Sequence, residues 1–144
     1  MEILKHAHSG LRWLFLVIII FAIVNAIRKW KSGDKFGAKD KLISILALAF
    51  THAQAIIGFI LYFGEEKYKG FSEMGDRILR FYAVEHLLGM LVAVILITIG
   101  HSKAKKEEYD KAKFKKIFVW FSIALLIVLI SIPWPFTIAG AGLF

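Results

Sequence analysis

The chain has 144 residues, 58% of them hydrophobic, a mean hydropathy of +0.66 and no cysteine. A soluble domain is nearer half apolar and lacks long uncharged runs, so this composition points to a polytopic membrane protein. Absence of cysteine excludes disulfides, Cys-ligated iron–sulfur clusters and covalent haem attachment through C-x-x-C-H. The net charge of +8 does not mark a nucleic-acid binder, because all of the excess sits on two alternate loops.

Four apolar runs, 11–27, 42–63, 81–100 and 117–132, are close to or above the ~18–20 residues that cross ~30 Å of hydrocarbon. With flanking residues they predict spans over about 9–29, 42–63, 79–100 and 115–132, in one domain covering 1–144. The first apolar run is too long for a cleavable leader, and no small-x-small site precedes Arg28. Span one opens with Lys5-His6-Ala7-His8-Ser9-Gly10-Leu11-Arg12-Trp13, in which His8 and Arg12 stand i,i+4 and share a face. Trp13 and Trp134 fit an aromatic belt on one side, Trp30 and Trp120 on the other. Asn25 lies near the inner end, where water or a neighbouring helix satisfies it.

Span two carries Thr51-His52-Ala53-Gln54 at its middle, with Ala49 and Ala55 at i−3 and i+3 from His52. In the following loop, Phe71-Ser72-Glu73-Met74 reads as a short interfacial turn. Span three carries adjacent Glu85 and His86, and ionisable groups at membrane depth face a bundle interior by default. Ala83, His86, Gly89, Ala93 and Gly100 fall close to one stripe, a histidine among small residues that leaves a flat groove for a planar ligand. Span four has no ionisable residue and stops at Pro133-Trp134-Pro135.

Loops one and three hold 13 basic residues against 5 acids, while the rest of the chain is neutral. By the positive-inside rule these loops are cytoplasmic and both termini outside. Short connections favour neighbouring antiparallel helices. The expected fold is therefore an all-α integral membrane antiparallel four-helix bundle, N-out/C-out, in contact with membrane lipid.

His52 falls near the midplane, and His86 about 4–5 residues to the outer side, or ~7 Å. His52 and His86 on neighbouring helices would give the two facing imidazoles of a six-coordinate haem, with Ala49, Ala55, Gly89 and Ala93 making room. His8 and His86 form a second pairing, in the outer leaflet. Each histidine has a plainer reading, a hydrogen bond to a neighbouring helix. His6 and His101 read as interfacial, although His101 follows His86 at a spacing close to that of stacked haem ligands in larger b cytochromes. Arg12 and Arg80 are candidate partners for haem propionates. Glu85 lies about 100° from His86 around the helix, and its simplest role is pairing with Arg12, Arg77 or Arg80.

His8-Ser9-Gly10-Leu11-Arg12-Trp13, Glu85-His86-Leu87-Leu88-Gly89-Met90 and His101 together resemble the small four-span cytochrome b-like membrane proteins of bacteria. The resemblance runs over essentially the whole chain. It implies non-covalent haem b in the bacterial inner membrane, with His8, His52 and His86 as candidate iron ligands. It also implies electron transfer with a quinone or a redox partner subunit, and is compatible with a homo-oligomer. A weaker similarity, Lys5-His6-Ala7-His8 ahead of an apolar span, is to the four-span haem-binding protoporphyrinogen oxidases. That family has a lysine in its third span, where this chain has His86. A haem-free accessory or assembly subunit completes the set of expectations.

Overall fold

The computed structural model describes residues 1–141. Helix α1 spans Glu2–Ser32, α2 Ala38–Gly64, α3 Arg77–Lys106 and α4 Asp110–Ser131, with a 3₁₀ segment at Lys67–Ser72. All four helices are long and apolar enough to cross a membrane. No strand occurs among the described residues. Each helix extends beyond the apolar run that announces it, because its polar ends find partners. Lys5 reaches Glu2 at 2.9 Å and Glu65 at 2.6 Å, which carries α1 out to Glu2 instead of leaving residues 2–8 as an interfacial lead-in. The turn expected at 71–74 is in part the 3₁₀ segment, which begins earlier, at Lys67.

The packing runs as a ring. Helix α3 lies along α4, α4 along α1 and α1 along α2, while the closing seam between α2 and α3 is the sparsest. Helices α1 and α3 therefore stand diagonally across the bundle. Large apolar side chains such as Val17, Phe21, Ile56, Leu126 and Ile130 point outward, Ile130 with 80% of its surface exposed. An outward apolar belt of this extent suits lipid and not water, the arrangement of a multi-pass membrane protein.

The half of the bundle near the 33–37 and 107–109 connections is filled. Ile19, Ile97, Phe114 and Phe121 are fully buried there, with Ala22, Ala26 and Ala104 between them. Asp40, only 3% exposed, ties that end together. It accepts from Asn25 Nδ2 at 2.8 Å, from Lys29 Nζ at 3.0 Å and from the Gly37 amide at 2.9 Å. Asn25 is thus satisfied by the neighbouring helix. His101 joins α3 to α2 through Ser44 Oγ at 2.8 Å. Of the belt tryptophans, Trp13 and Trp134 meet with rings 6.2 Å apart at one end, while at the other Trp30 meets Phe118 and Trp120 lies under Lys103.

The glycines of α3, Gly89 and Gly100, serve close approach and not a groove. A Cβ at Gly89 would stand 1.9 Å from Ser131 Oγ, and one at Gly100 would stand 2.4 Å from Trp120 Cβ. Both hydrogens face α4 directly. Along this stripe α4 closes the expected groove at Gly89 and Gly100, so Gly89 is a packing residue that does not line the cavity described next, whereas His86 and Ala93 do line it.

Candidate functional site

The opposite half of the bundle is hollow. A cavity of about 520 Å³ opens among α1, α2 and α3, with the end of α4 as its back wall. Along α3 it runs from Tyr82 to Ile97, which at 1.5 Å per residue is a reach of about 22 Å. Its deep end is apolar, lined by Phe15, Val94, Ile97 and Val128. Its mouth is charged: Lys5, His6, Arg12 and Lys67 line it together with Glu2 and Glu65. Glu65 bridges Lys5 and Lys67, the latter at 3.3 Å, and Lys67 lies 5.1 Å from the centre of the Tyr82 ring.

Two imidazoles face each other across this space. His8 of α1 and His86 of α3 have ring centroids 6.5 Å apart and planes 80° apart. The Nδ1–H of His86 donates to the Ser131 carbonyl at 2.7 Å. The sequence explains why that carbonyl is available. In an unbroken helix Ser131 O would accept from the amide of residue 135, and Pro135 has none. The same logic frees Leu129 O, four residues before Pro133, and there the Trp134 indole N–H donates at 2.8 Å. The Pro-Trp-Pro run therefore does more than end a helix: it presents a fixed acceptor to His86. With Nδ1 occupied, the Nε2 lone pair of His86 remains for a ligand, the usual arrangement of a metal-binding histidine.

Just before His86 the helix widens. Residues Phe81–Glu85 form a π turn, and the His86 amide reaches back five residues to Phe81 O. Such turns recur at functional sites because they re-aim the following side chains. Tyr62 of α2 donates its hydroxyl to Ala83 O within this turn at 3.1 Å, holding the widened segment from the side.

His8 is held differently. Gln54 Nε2 of α2 donates to the His8 backbone carbonyl at 3.0 Å, which fixes the main chain and not the ring. His8 Nδ1 and Gln54 Oε1 are both buried without a hydrogen-bond partner among the described residues. A buried polar atom calls for a partner, whether a water or a ligand, and both residues line the cavity that could supply one.

Several expectations are corrected. His52 and His86 are not brought together. The inward face of α2 follows Ala47, Thr51, Ala55 and Gly58, at steps of 4, 4 and 3, and His52 lies about 100° from it. His52 is exposed instead, with Nδ1–H on Leu48 O at 2.8 Å and Nε2 near Thr98 Oγ1 at 3.5 Å, and it does not line the cavity. Arg80 lies outside too, paired with Glu85 at 2.8 Å, so Glu85 has the structural partner expected of it. Arg12 does line the cavity, one turn below His8. Ser131, Gln54, Tyr62 and Lys67 are the contributors that the sequence did not single out. Of these only Ser131 had a local signal, the proline four residues downstream.

Among the described residues no group of three or more His, Cys, Asp or Glu side chains converges, so a closed zinc-type site is not formed by them. A two-imidazole site is what the geometry offers. Two rings each about 2 Å from one shared metal, with the ring centre about 1 Å further on, stand roughly 6 Å apart. The observed 6.5 Å is close to that. No protein-family model, curated protein or solved structure matches the chain.

Proposed function

We propose that this chain is a b-type cytochrome of the bacterial inner membrane, N-out/C-out, holding haem b non-covalently between His8 and His86. The observation that carries the proposal is the His8–His86 pair across the cavity, with His86 Nδ1 already committed to Ser131 O. The volume, about 520 Å³, lies in the range of roughly 300–1,000 Å³ common to small-molecule and cofactor sites. Its polarity also suits an amphiphilic planar group. An apolar porphyrin edge matches the Val94–Ile97 end, and Arg12, Lys5 and Lys67 offer cations to the propionates at the mouth. The haem, when bound, supplies one-electron chemistry. The chain supplies two neutral imidazole ligands, a low-dielectric wall and a hydrogen bond that fixes the His86 tautomer, and these set the potential. Electrons would pass to a quinone or to a partner subunit.

The haem-free accessory reading has one observation in its favour. The His86–Ser131 bond is by itself sufficient interhelical glue. It leaves the orphaned His8 Nδ1 and the cavity without a purpose, and we rank it second. The deciding test is a dithionite-reduced minus oxidised spectrum of protein purified from haem-replete cells, with His8→Ala, His86→Ala and His52→Ala alongside. A sharp α band lost in the first two variants and kept in the third is the expected result. Wild-type protein without a Soret band would refute the cytochrome reading.

A further inference from the structure

The two facing histidines are not equivalent. His86 is clamped by a charge-neutral hydrogen bond to a carbonyl that has no competing amide, and it sits in the middle of a helix packed closely on α4 through Gly89. His8 lies in the second turn of α1, and its ring nitrogen Nδ1 has no hydrogen-bond partner among the described residues. No hydrogen bond at Nδ1 among the described residues selects one tautomer, and the ring is held by contact with His86 and Gly58. A metal-binding histidine is ordinarily braced by a bond from its other ring N–H, and loss of the brace lowers both basicity and affinity. On the α2 side the ring packs closely on Gly58, where an added Cβ would stand only 3.3 Å from His8 Cε1, so the room for the ring to move lies in the adjoining cavity.

We infer that His8 is the exchangeable ligand of this site: its imidazole swings off while His86 stays, and a small neutral donor molecule of the carbon monoxide class takes the vacated position. The inference rests on the haem reading above and goes beyond it. A symmetrically braced pair would make a closed electron carrier. An asymmetric pair makes a site that binds diatomic ligands on one side, gated by a rotation of His8. Gln54 tethers the His8 carbonyl and so governs how readily that end of α1 follows the ring.

The haem-loaded, dithionite-reduced protein mixed with carbon monoxide tests this. In the wild type the association rate should level off with carbon monoxide concentration, at the rate of His8 departure. In His8→Ala it should rise linearly and run about 10- to 1,000-fold faster, the factor set by a ligand-off state populated at roughly 0.1–10%. Imidazole ¹⁵N spectra of the haem-free protein provide a second readout. His86 should show a fixed Nδ1–H tautomer and His8 averaged nitrogen shifts. A reduced wild-type spectrum unchanged in carbon monoxide-saturated buffer would overturn the inference while leaving the cytochrome reading intact. So would equal, linear rates in wild type and His8→Ala, since His8 would then not be a ligand. Should His8→Ala fail to retain haem, Gln54→Leu decides. A plateau raised about fivefold, the factor one lost hydrogen bond carries, supports the proposal, and an unchanged plateau refutes it. Protein that never acquires a Soret band removes the haem reading itself, a failure separate from these.

Discussion

Substitution of Gly89 by alanine tests the link between helix packing and the site. In isolation the change favours the helix by about 1 kcal/mol. The new Cβ, however, would fall 1.9 Å from Ser131 Oγ and 2.7 Å from Ser131 Cβ. A serine rotamer change relieves the first contact. It cannot relieve the second, because Cβ is fixed to the backbone. Helices α3 and α4 must therefore separate near the point where Ser131 O accepts from His86. Overpacking of this kind costs about 1–3 kcal/mol, and weakening the neutral hydrogen bond adds about 1 kcal/mol. The penalties outweigh the helix gain, for a net loss of roughly 1–3 kcal/mol. Thermal unfolding in detergent, followed by circular dichroism, reads that loss as a lower Tm. The double variant Gly89→Ala with Ser131→Gly removes both contacts and should recover most of it, a positive coupling in the mutant cycle. Gly89→Ala as stable as wild type, or no recovery in the double variant, would refute the packing argument.

Three further outcomes are expected. Pro133→Ala combined with Pro135→Ala lets the helix run on past the extended Ile132 and supplies an amide that competes for Ser131 O, so the ¹⁵N shifts of His86 should change from a fixed Nδ1–H tautomer towards an average; unchanged shifts would count against the role assigned to the Pro-Trp-Pro run. Asp40→Ala strips a buried acceptor from Lys29, Asn25 and the Gly37 amide and should cost about 2–3 kcal/mol, read as a fall in Tm; an unaltered Tm would contradict the account of that end of the bundle. The hydrogen bond from Lys5, with Lys67 beside it, holds the Glu65 carboxyl below its ordinary value of 4.5. A carboxyl with a lowered folded-state value stabilises the tie fully above pH 4.5 and loses it as pH falls through that lowered value. Hydrogen exchange of residues 2–8 should accordingly speed up at acid pH in the wild type and show no such step in Glu65→Gln.

Much of the fold could be read from the chain alone. Four apolar runs near membrane-spanning length, with tryptophans at the ends of the first and last and short polar joins, leave few arrangements besides a four-helix bundle. The importance of His86 was legible too, because an imidazole inside an apolar run has to find a partner. Its partner was legible only as an alternative, His8 standing second to His52. Sequence depth favoured His52, whereas the bundle turns Thr51 and Gly58 inward and leaves His52 on the outside.

What the sequence by itself determined was the one-dimensional content: spans, charge asymmetry, and the amide missing at Pro135. Tertiary structure decided the helical phases, because the face a helix buries depends on its neighbours and a one-residue step moves a side chain by about 100°. It also decided that Gly89 meets Ser131 and not a ligand, and that the π turn aims His86 at the same space as His8. Pairing across a bundle diagonal joins residues 78 positions apart, a separation at which local pattern carries no information about contact.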